Sequence, residues 1–156
     1  MPIRTAVVPL SEIFALRWAV LRPGLPRESA QFAEDGGPHT FHLAAYEGED
    51  PTVLGCITVF PDPFPAPHRL SAAAFRFRGM ASAPEVRGRG YGAAVLAAAT
   101  REAAARGARL LWCNGRTEAA GFYHGQGFTT VGEEFVIEGV GPHYVFCREI
   151  SPRESR

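Results

Sequence analysis

The spacing of apolar and polar residues along the chain follows two different periods, and each period predicts one kind of secondary structure. Short stretches rich in β-branched and aromatic residues predict strands, and apolar residues that recur every three to four positions predict helices. The predicted strands are Ile3–Val8, His42–Glu47, Val53–Phe60, Ala73–Ser82, Arg109–Cys113, Thr130–Ile137 and His143–Arg148. The predicted helices run from Ser11 to about Leu21, from about Gly90 to Arg106 and from Glu118 to Gly125.

The order of these elements indicates the fold class. The strand from Ala73, the loop and helix after it and the strand ending at Cys113 form one parallel crossover, whereas the other strands are joined mostly as hairpins. The four prolines of Pro61–Pro67 exclude that segment from the interior of a sheet and predict a stiff surface loop. We therefore predict an α/β (α+β) fold with a mixed sheet, in a single domain over residues 1–150 followed by a polar C-terminal tail at 151–156.

The ends and the buried faces of the helices follow from the same pattern. Ser11 is predicted to cap the first helix, because a serine side chain can accept a hydrogen bond from a free amide of the first turn. Gly107 is predicted to end the second helix in the left-handed conformation. Helical spacing predicts inward-facing side chains at Ile13, Phe14, Leu16, Ala19 and Val20, and at Val95, Leu96, Ala99 and Ala103.

A glycine-rich segment opens the second helix. Arg87–Gly92 reads RGRGYG, and its alternating glycines let the backbone approach a ligand closely. The first amides of a helix are unpaired and carry partial positive charge, and the two arginines add further donors. We interpret the segment as the pyrophosphate site of a coenzyme, although it lacks the Gly-Lys-Ser/Thr ending of nucleotide triphosphatases. The alternative interpretation is a tight turn whose glycines only allow close helix packing.

Composition narrows the class of protein and its partners. The chain has 156 residues, of which 46% are hydrophobic and 21% charged, as in a globular protein. The formal net charge of zero argues against nucleic acid as a partner, because nucleic-acid binders usually carry a basic excess. We find no signal peptide and no apolar run of membrane length, so we expect a cytoplasmic protein without a membrane partner. Cys56, Cys113 and Cys147 are expected to be buried thiols, and we expect no metal site.

A second motif follows the glycine segment. Ala119–Phe128 reads AAGFYHGQGF and fits the pattern Phe-Tyr-x-x-x-Gly-Phe, while Arg87–Gly92 fits Arg/Gln-x-x-Gly-x-Gly/Ala. The two motifs and the distance between them resemble the GCN5-related N-acetyltransferase (GNAT) family. The resemblance is specific over about Phe75–Phe128, and the order of the predicted elements fits it over the whole chain.

This resemblance implies a particular sheet and a place for the acetyl donor. The sheet would be mixed and splayed, with about six to seven strands and about four flanking helices. Acetyl-coenzyme A would lie in the gap between the Ala73–Ser82 and Arg109–Cys113 strands. In the family the strand before the loop bulges and its backbone pairs with the pantetheine arm, which here implicates Met80, Ala81 and Ser82. The residues facing the pyrophosphate would be Arg87, Gly88, Arg89, Gly90, Tyr91 and Gly92.

The resemblance implies one more contact with the coenzyme. The family often has an asparagine seven residues before the motif tyrosine, and in this chain that position is Arg116. The nearest asparagine is Asn114, two residues earlier. Either side chain could replace the family's asparagine, and a turn residue at the end of a strand is the alternative interpretation of Asn114.

The resemblance also points to the residues that would move protons. Tyr123 would protonate the leaving thiolate, because a phenol with an ordinary pKa near 10 keeps its proton at neutral pH. The alternative is a tyrosine that only packs. Many family members carry a glutamate on the strand before the tyrosine helix, and this chain has none there. Glu133, Glu134 and His143 are the remaining candidates for the general base, with a solvated carboxylate or a hydrogen-bonded histidine as the alternatives.

The implied function is transfer of an acetyl group from acetyl-coenzyme A to a primary amine of a small molecule or peptide, directly within a ternary complex. The missing strand glutamate leaves open a second interpretation, a non-catalytic acyl-coenzyme A sensor. A phosphate-ligand binding module of another fold is a third. Relatives often meet a partner chain through their last strands, so a homodimer is a further expectation.

Overall fold

The computed structural model describes residues 2–155 of the chain. Its strands are β1 (Ile3–Val8), β2 (Phe41–Glu47), β3 (Gly55–Pro61), β4 (Ala74–Ser82), β5 (Leu110–Arg116), β6 (Thr129–Ile137) and β7 (Gly141–Glu149). Its α-helices are α1 (Leu10–Leu21), α2 (Tyr91–Ala105) and α3 (Ala120–Gly125). Short 3-10 segments lie at Arg27–Ala30, Ser71–Ala73, Pro84–Val86, Thr117–Ala119 and Pro152–Ser155.

The strands form a mixed sheet of seven in the order β1-β2-β3-β4-β5-β7-β6. β4 and β5 are parallel, with Ala74 opposite Leu110, and the pairs β1–β2, β2–β3, β5–β7 and β6–β7 are antiparallel. The predicted α/β (α+β) fold with a mixed sheet is therefore confirmed. The expected number of helices is too high: residues 2–155 contain three α-helices, because the other helical segments are single 3-10 turns.

The chain divides by its internal contacts into two compact units. The first contains the residues up to Phe60 together with Phe77–Glu102, and the second contains Pro61–Arg76 together with the chain from Ala103 onward. The single domain proposed over residues 1–150 stays a prediction.

In the first unit, α1 departs from its predicted cap and buried face. The helix begins after Pro9, which has extended backbone and no side-chain capping bond, so the predicted cap at Ser11 is wrong. Ile13 and Phe14 are buried as predicted, but Ala19 is exposed. The buried face of α1 therefore holds the apolar side chains of Ile13 and Phe14 together with one polar side chain, that of Arg17.

The predicted hairpin, and the predicted buried face and end of α2, are confirmed, whereas α3 begins at Ala120 and not at Glu118 as predicted. β2 and β3 pair as a hairpin with Phe41 opposite Val59, and every residue of both strands is buried except the last. Gly107 has φ +96°, the left-handed conformation predicted for it after α2. The side chains predicted to be inward in α2 are all buried: Val95, Leu96, Ala99 and Ala103.

In the second unit, β5 is longer than the sequence predicts. It continues to Arg116, and Asn114 lies inside it opposite Val145 of β7. The interpretation of Asn114 as a turn residue at a strand end is therefore wrong. The strand continues because β7 supplies a regular antiparallel partner as far as His143.

The proline-rich segment of the second unit lies mostly at the surface, as predicted, but it is anchored. Phe64 is buried and its ring meets the Trp112 ring edge-on at a centroid distance of 5.9 Å. The indole Nε1 of Trp112 donates a hydrogen bond to the carbonyl of Asp62 at 2.9 Å.

Other predictions about burial and termini can be compared directly with the described residues. Cys56, Cys113 and Cys147 are buried free thiols, as predicted. The C-terminal tail is tied to β7, because the Glu154 carboxylate accepts hydrogen bonds from Arg148 and from the Ser151 amide. None of the helices within residues 2–155 has the length and apolar character that a membrane span requires.

Candidate active site

The glycine segment lies between β4 and α2 and exposes its backbone. After the 3-10 turn Pro84–Val86, the residues Arg87–Gly90 are exposed and α2 begins at Tyr91. Gly88 and Gly90 have φ +79° and +88°, a conformation that side chains with a Cβ rarely adopt. The segment therefore depends on glycine for its backbone conformation, whereas a Cβ at Gly88 would meet no atom within 4 Å.

The amides of this segment fall into two groups. The amide of Arg89 donates to the carbonyl of Val86 at 3.1 Å, so it already belongs to a turn. The carbonyl of Gly90 accepts from Ala94 at 2.9 Å, which makes it an early acceptor of α2. The amides at the start of α2 precede that bond and have no partner within the helix, as at any helix N-terminus.

The end of β4 holds the residues predicted to meet the pantetheine arm. Ala81 is buried, while Met80 and Ser82 are half-buried. Gly79, directly before them, has φ +66° inside the strand, and its carbonyl accepts from the Cys56 thiol at 3.5 Å. A left-handed glycine within a strand interrupts the regular alternation in the way that a bulge does.

The Tyr123 side chain packs against aromatic rings and a glycine in the second unit. The residue is 7% exposed, and its ring stacks on Phe146 at a centroid distance of 4.6 Å and meets Phe128 at 5.9 Å. A Cβ at Gly115 would come within 2.6 Å of the Tyr123 ring. The ring can therefore lie flat against β5 only because position 115 has no side chain.

The Tyr123 hydroxyl and the Cys113 thiol are hydrogen-bonding neighbours, and either group can be the donor. Burial raises the pKa of Tyr123 well above its ordinary value, and the neighbouring Cys113 raises it further. Burial also raises the pKa of Cys113, to about 12. Both groups keep their protons at neutral pH, so the phenol can act as a proton donor and not as a base.

His143 is enclosed, and one of its ring nitrogens is bonded to a backbone carbonyl. It is 5% exposed, and its ring stacks on Phe135 at a centroid distance of 5.9 Å. Its Nδ1 lies 2.8 Å from the carbonyl of Gly141. Because a carbonyl only accepts, Nδ1 carries a proton, and Nε2 is the ring nitrogen left to exchange a proton with a substrate.

The register of the sheet places Tyr123 and His143 on opposite faces of the second unit. His143 lies opposite Arg116 across the β5–β7 pair, whereas the Tyr123 ring packs on Phe146 of β7. Positions 143 and 146 differ by an odd number, so their side chains point to opposite faces. Asn114 and Arg116 share the face of His143.

The glutamates considered for the base lie in a different setting. Glu133 and Glu134 are exposed, and they lie where the β6–β7 register shifts between Val131 and Phe135. Glu134 accepts a hydrogen bond from the Thr117 hydroxyl at 2.8 Å. Neither carboxylate has the enclosed setting of His143.

A buried arginine in the first unit was missed by the sequence reasoning. Arg17 of α1 is fully buried and donates two hydrogen bonds to the Asp35 carboxylate, at 2.7 and 2.9 Å. It also donates to the Ala30 carbonyl at 3.0 Å and to the Thr58 hydroxyl. The signal was present, because helical spacing puts position 17 on the same face as Ile13.

The Arg17 ion pair holds the segment after α1 in place. The Phe32 ring lies between two guanidinium groups, those of Arg17 and Arg78, each 4.0 Å from its centroid. Burial by itself would raise the pKa of Asp35, but hydrogen bonds from Arg17 and from the Phe32 amide outweigh it, and the pKa is lowered. Asp35 is therefore ionised at neutral pH and its charge is balanced by Arg17.

Comparison with known proteins identifies the family. The sequence profile of the Acetyltransferase (GNAT) family matches residues 9–128. That match spans most of the chain, so the chain belongs to this family of acetyltransferases. The predicted resemblance, and the prediction of an N-acetyltransferase enzyme, are confirmed at this level.

Individual relatives agree with the family match. The uncharacterised N-acetyltransferase YitI of Bacillus subtilis is 29% identical over 143 residues, which cover 92% of this chain and 93% of YitI. Escherichia coli ElaA has a similar fold, with a TM-score of 0.75 at 14% identity over 95% of this chain and 100% of ElaA. A GCN5-related N-acetyltransferase from Kribbella flavida has a TM-score of 0.70 at 22% identity over 95% of this chain and 98% of its own. Membership in the family implies an acyl-coenzyme A donor and an acceptor substrate.

Proposed function

We propose that the protein is an acetyl-coenzyme A-dependent N-acetyltransferase that acts on a primary amine of a small molecule or peptide by direct transfer in a ternary complex. The observation that carries this proposal is the exposed segment Arg87–Gly92, with its left-handed glycines at the start of a helix of 15 residues. Neither Arg87 nor Arg89 is in an ion pair with another described residue. Free guanidinium groups beside helix amides suit a diphosphate.

The residues proposed to hold the coenzyme keep the assignment made from the sequence, with one refinement. Because the Arg89 amide is used in a turn, the proposed donors to the pyrophosphate are its guanidinium, that of Arg87 and the amides of nearby residues. Those amides belong to Gly88, Gly90, Tyr91 and Gly92. The backbone of Met80, Ala81 and Ser82 is proposed to pair with the pantetheine arm, and Asn114 and Arg116 remain proposed coenzyme contacts.

The proposed chemistry moves two protons. The amine nitrogen bonds to the acetyl carbonyl carbon, the carbon–sulfur bond breaks, and the sulfur leaves as a thiolate. Tyr123 gives its phenolic proton to that sulfur, and a base takes the proton that the amine loses. Backbone amides near Ala81 stabilise the oxyanion that develops during attack. Burial raises the pKa of Tyr123, so the phenol still holds its proton at neutral pH when the thiolate forms.

His143 is proposed as the base in preference to Glu134. We expect His143→Gln to lower kcat/KM by about 10²-fold at neutral pH, because the amine then loses its proton without help. The loss should shrink at alkaline pH, where the amine is already neutral. Glu134→Gln is the matched control and should stay near wild type, since its carboxylate is exposed and bonded to Thr117. A larger loss in Glu134→Gln than in His143→Gln would assign the base to the glutamate.

The proposed function is tested by following thiol release from acetyl-coenzyme A across a panel of amines, with coenzyme binding measured by calorimetry. We expect release with one class of amine. Gly90→Val should weaken coenzyme binding at least about tenfold, because a β-branched residue at φ +88° displaces the loop. Gly139→Val, which places the same strain at φ +78° in the β6–β7 turn, should leave that affinity unchanged.

The alternatives predict other results in the same experiment. Coenzyme binding without thiol release for every amine would favour the acyl-coenzyme A sensor. Absence of coenzyme binding would favour a module for another phosphate ligand. The cytoplasmic location and the homodimer stay predictions from the sequence.

A further inference from the structure

The first unit contains a cavity to which the proposed chemistry assigns no role. Its volume is about 360 Å³, within the range of sites that bind small molecules. It lies beside the first turns of α1 and the 3-10 turn Arg27–Ala30. Three apolar side chains line it, those of Leu10, Phe14 and Phe32. Its polar lining includes the side chains of Ser11 and Gln31, which make no hydrogen bond to another described side chain.

The two charged residues of the lining differ in their partners. Asp35 accepts two hydrogen bonds from Arg17, so its negative charge is balanced inside the protein. Arg27 is exposed and is in no ion pair with another described residue. The charge left over in the cavity is therefore the positive charge of Arg27.

Arg27 is held in place without a carboxylate partner. Its guanidinium lies over the Phe14 ring at 4.3 Å from the centroid, a distance at which a cation is attracted to an aromatic face. Two carboxylates of the first unit are engaged elsewhere: Glu12 accepts from the Tyr46 hydroxyl at 3.1 Å and Glu34 pairs with Arg78 at 2.9 Å. The N–H donors of the Arg27 guanidinium thus remain available to a ligand.

We propose that this cavity binds a small carboxylate with an apolar body, and that Arg27 holds the carboxylate. The planar guanidinium can donate two parallel hydrogen bonds to such a group, and Leu10 with the edges of the Phe14 and Phe32 rings supplies an apolar surface for the rest of the ligand. The cavity adjoins the proposed coenzyme site, because its lining residue Phe32 packs against Gly79, directly before Met80. Resting on the proposed function, the inference therefore extends to the acceptor: it is an amine that also carries a carboxylate, such as a hydrophobic amino acid. Arg27 is then a specificity-determining residue.

The test compares three probes that share a phenyl ring: 3-phenylpropanoate, which has only the carboxylate, phenethylamine, which has only the amine, and L-phenylalanine, which has both. Calorimetry on the full chain at neutral pH should show binding of both carboxylates and at least about tenfold weaker binding of phenethylamine. Arg27→Gln should weaken binding of the carboxylates about ten- to a hundredfold. Arg27→Lys keeps the charge but loses the two parallel N–H donors of the guanidinium, and it should weaken binding of the carboxylates less than Arg27→Gln does.

A matched control separates the loss of this arginine from the loss of a positive charge. Arg101→Gln removes an exposed arginine from α2, outside the cavity lining, and should bind all three probes like the wild type. Equal affinities of Arg27→Gln and Arg101→Gln for 3-phenylpropanoate would overturn the proposal. So would equal binding of phenethylamine and 3-phenylpropanoate by the wild type.

Turnover distinguishes failure of this proposal from failure of the proposed function. Carboxylate binding that depends on Arg27, without thiol release for any amine, would refute the acetyltransferase and retain the site. Acetylation of phenethylamine and L-phenylalanine with equal kcat/KM, unchanged by Arg27→Gln, would retain the acetyltransferase and refute the site.

Discussion

Asp35→Ala is expected to lower the free energy of unfolding by about 3–5 kcal/mol, because it leaves the Arg17 guanidinium charged and buried without its carboxylate. The ion pair is almost completely enclosed, with 0% of the Arg17 side chain and 8% of the Asp35 side chain exposed. A loss of that size is a large part of the stability of an ordinary domain. Chemical denaturation, followed by the shift of the unfolding midpoint at constant slope, measures it.

Glu34→Ala is the neighbouring control for the Asp35 substitution. It breaks the ion pair between Glu34 and Arg78, in which 31% of the Arg78 side chain and 30% of the Glu34 side chain are exposed. It should therefore lower the free energy of unfolding by about 1 kcal/mol or less. If both charges of the buried pair are removed, in Asp35→Ala with Arg17→Met, the loss should not exceed that of Asp35→Ala alone. A double variant that is much less stable than the single one would mean that Arg17 stabilises the fold without Asp35.

The contribution of the Arg17–Asp35 ion pair to the stability of the fold depends on pH. The pKa of Asp35 in the folded protein is lowered from the ordinary value of 3.8, so its contribution to stability is present above that value. The contribution is lost as the pH falls through the lower, folded pKa. The difference in the free energy of unfolding between wild type and Asp35→Ala should therefore disappear in strong acid and stay constant near neutral pH.

Tyr123→Phe is expected to lower kcat by about 10²-fold or more while the dissociation constant of the coenzyme changes little. The substitution removes the phenolic proton and keeps the ring that packs on Phe146 and Phe128. A group that acts only as the bond to sulfur breaks contributes to turnover and not to binding. Single-turnover kinetics with acetyl-coenzyme A, together with calorimetry of coenzyme A, separate the two quantities.

Tyr46→Phe is the matched control for Tyr123→Phe, because it also removes a buried hydroxyl and keeps the ring. Tyr46 is 5% exposed, and its hydroxyl donates to Glu12 at 3.1 Å, while that of Tyr123 neighbours the Cys113 thiol. Each substitution should cost about 1 kcal/mol of stability, but Tyr46→Phe should retain full kcat. Equal losses of kcat and of coenzyme affinity in Tyr123→Phe would make Tyr123 a packing residue.

The elements that carry the family motifs could be predicted because their patterns are local. The α2 stripe from Val95 to Ala103 depends on helical spacing alone, and the left-handed Gly107 depends on the absence of a side chain. The crossover from β4 to β5 follows from the order of strand, glycine segment and helix. None of these predictions requires knowledge of distant partners.

The parts of the site that were missed depend on partners distant in the sequence. The cap predicted at Ser11 was wrong for a local reason: α1 begins at Leu10, after Pro9, so Ser11 lies inside the first turn. The partners of the buried Arg17, the carboxylate of Asp35 and the hydroxyl of Thr58, lie outside α1, so no spacing within the helix reveals them. The separation of Tyr123 and His143 onto two faces follows from the register of β5 and β7, which is a property of the pair.

The missing side chain at position 115 also restricts how this enzyme can be altered. A Cβ there would come within 2.6 Å of the Tyr123 ring and 2.8 Å of the Phe146 ring, so even Gly115→Ala collides with both. In laboratory evolution by single substitutions, we expect no side chain to be accepted at position 115 as long as position 123 keeps its large ring. A library that randomises both positions together can exchange the bulk of one for the other, and it is the route by which the proposed proton donor could be moved to the strand.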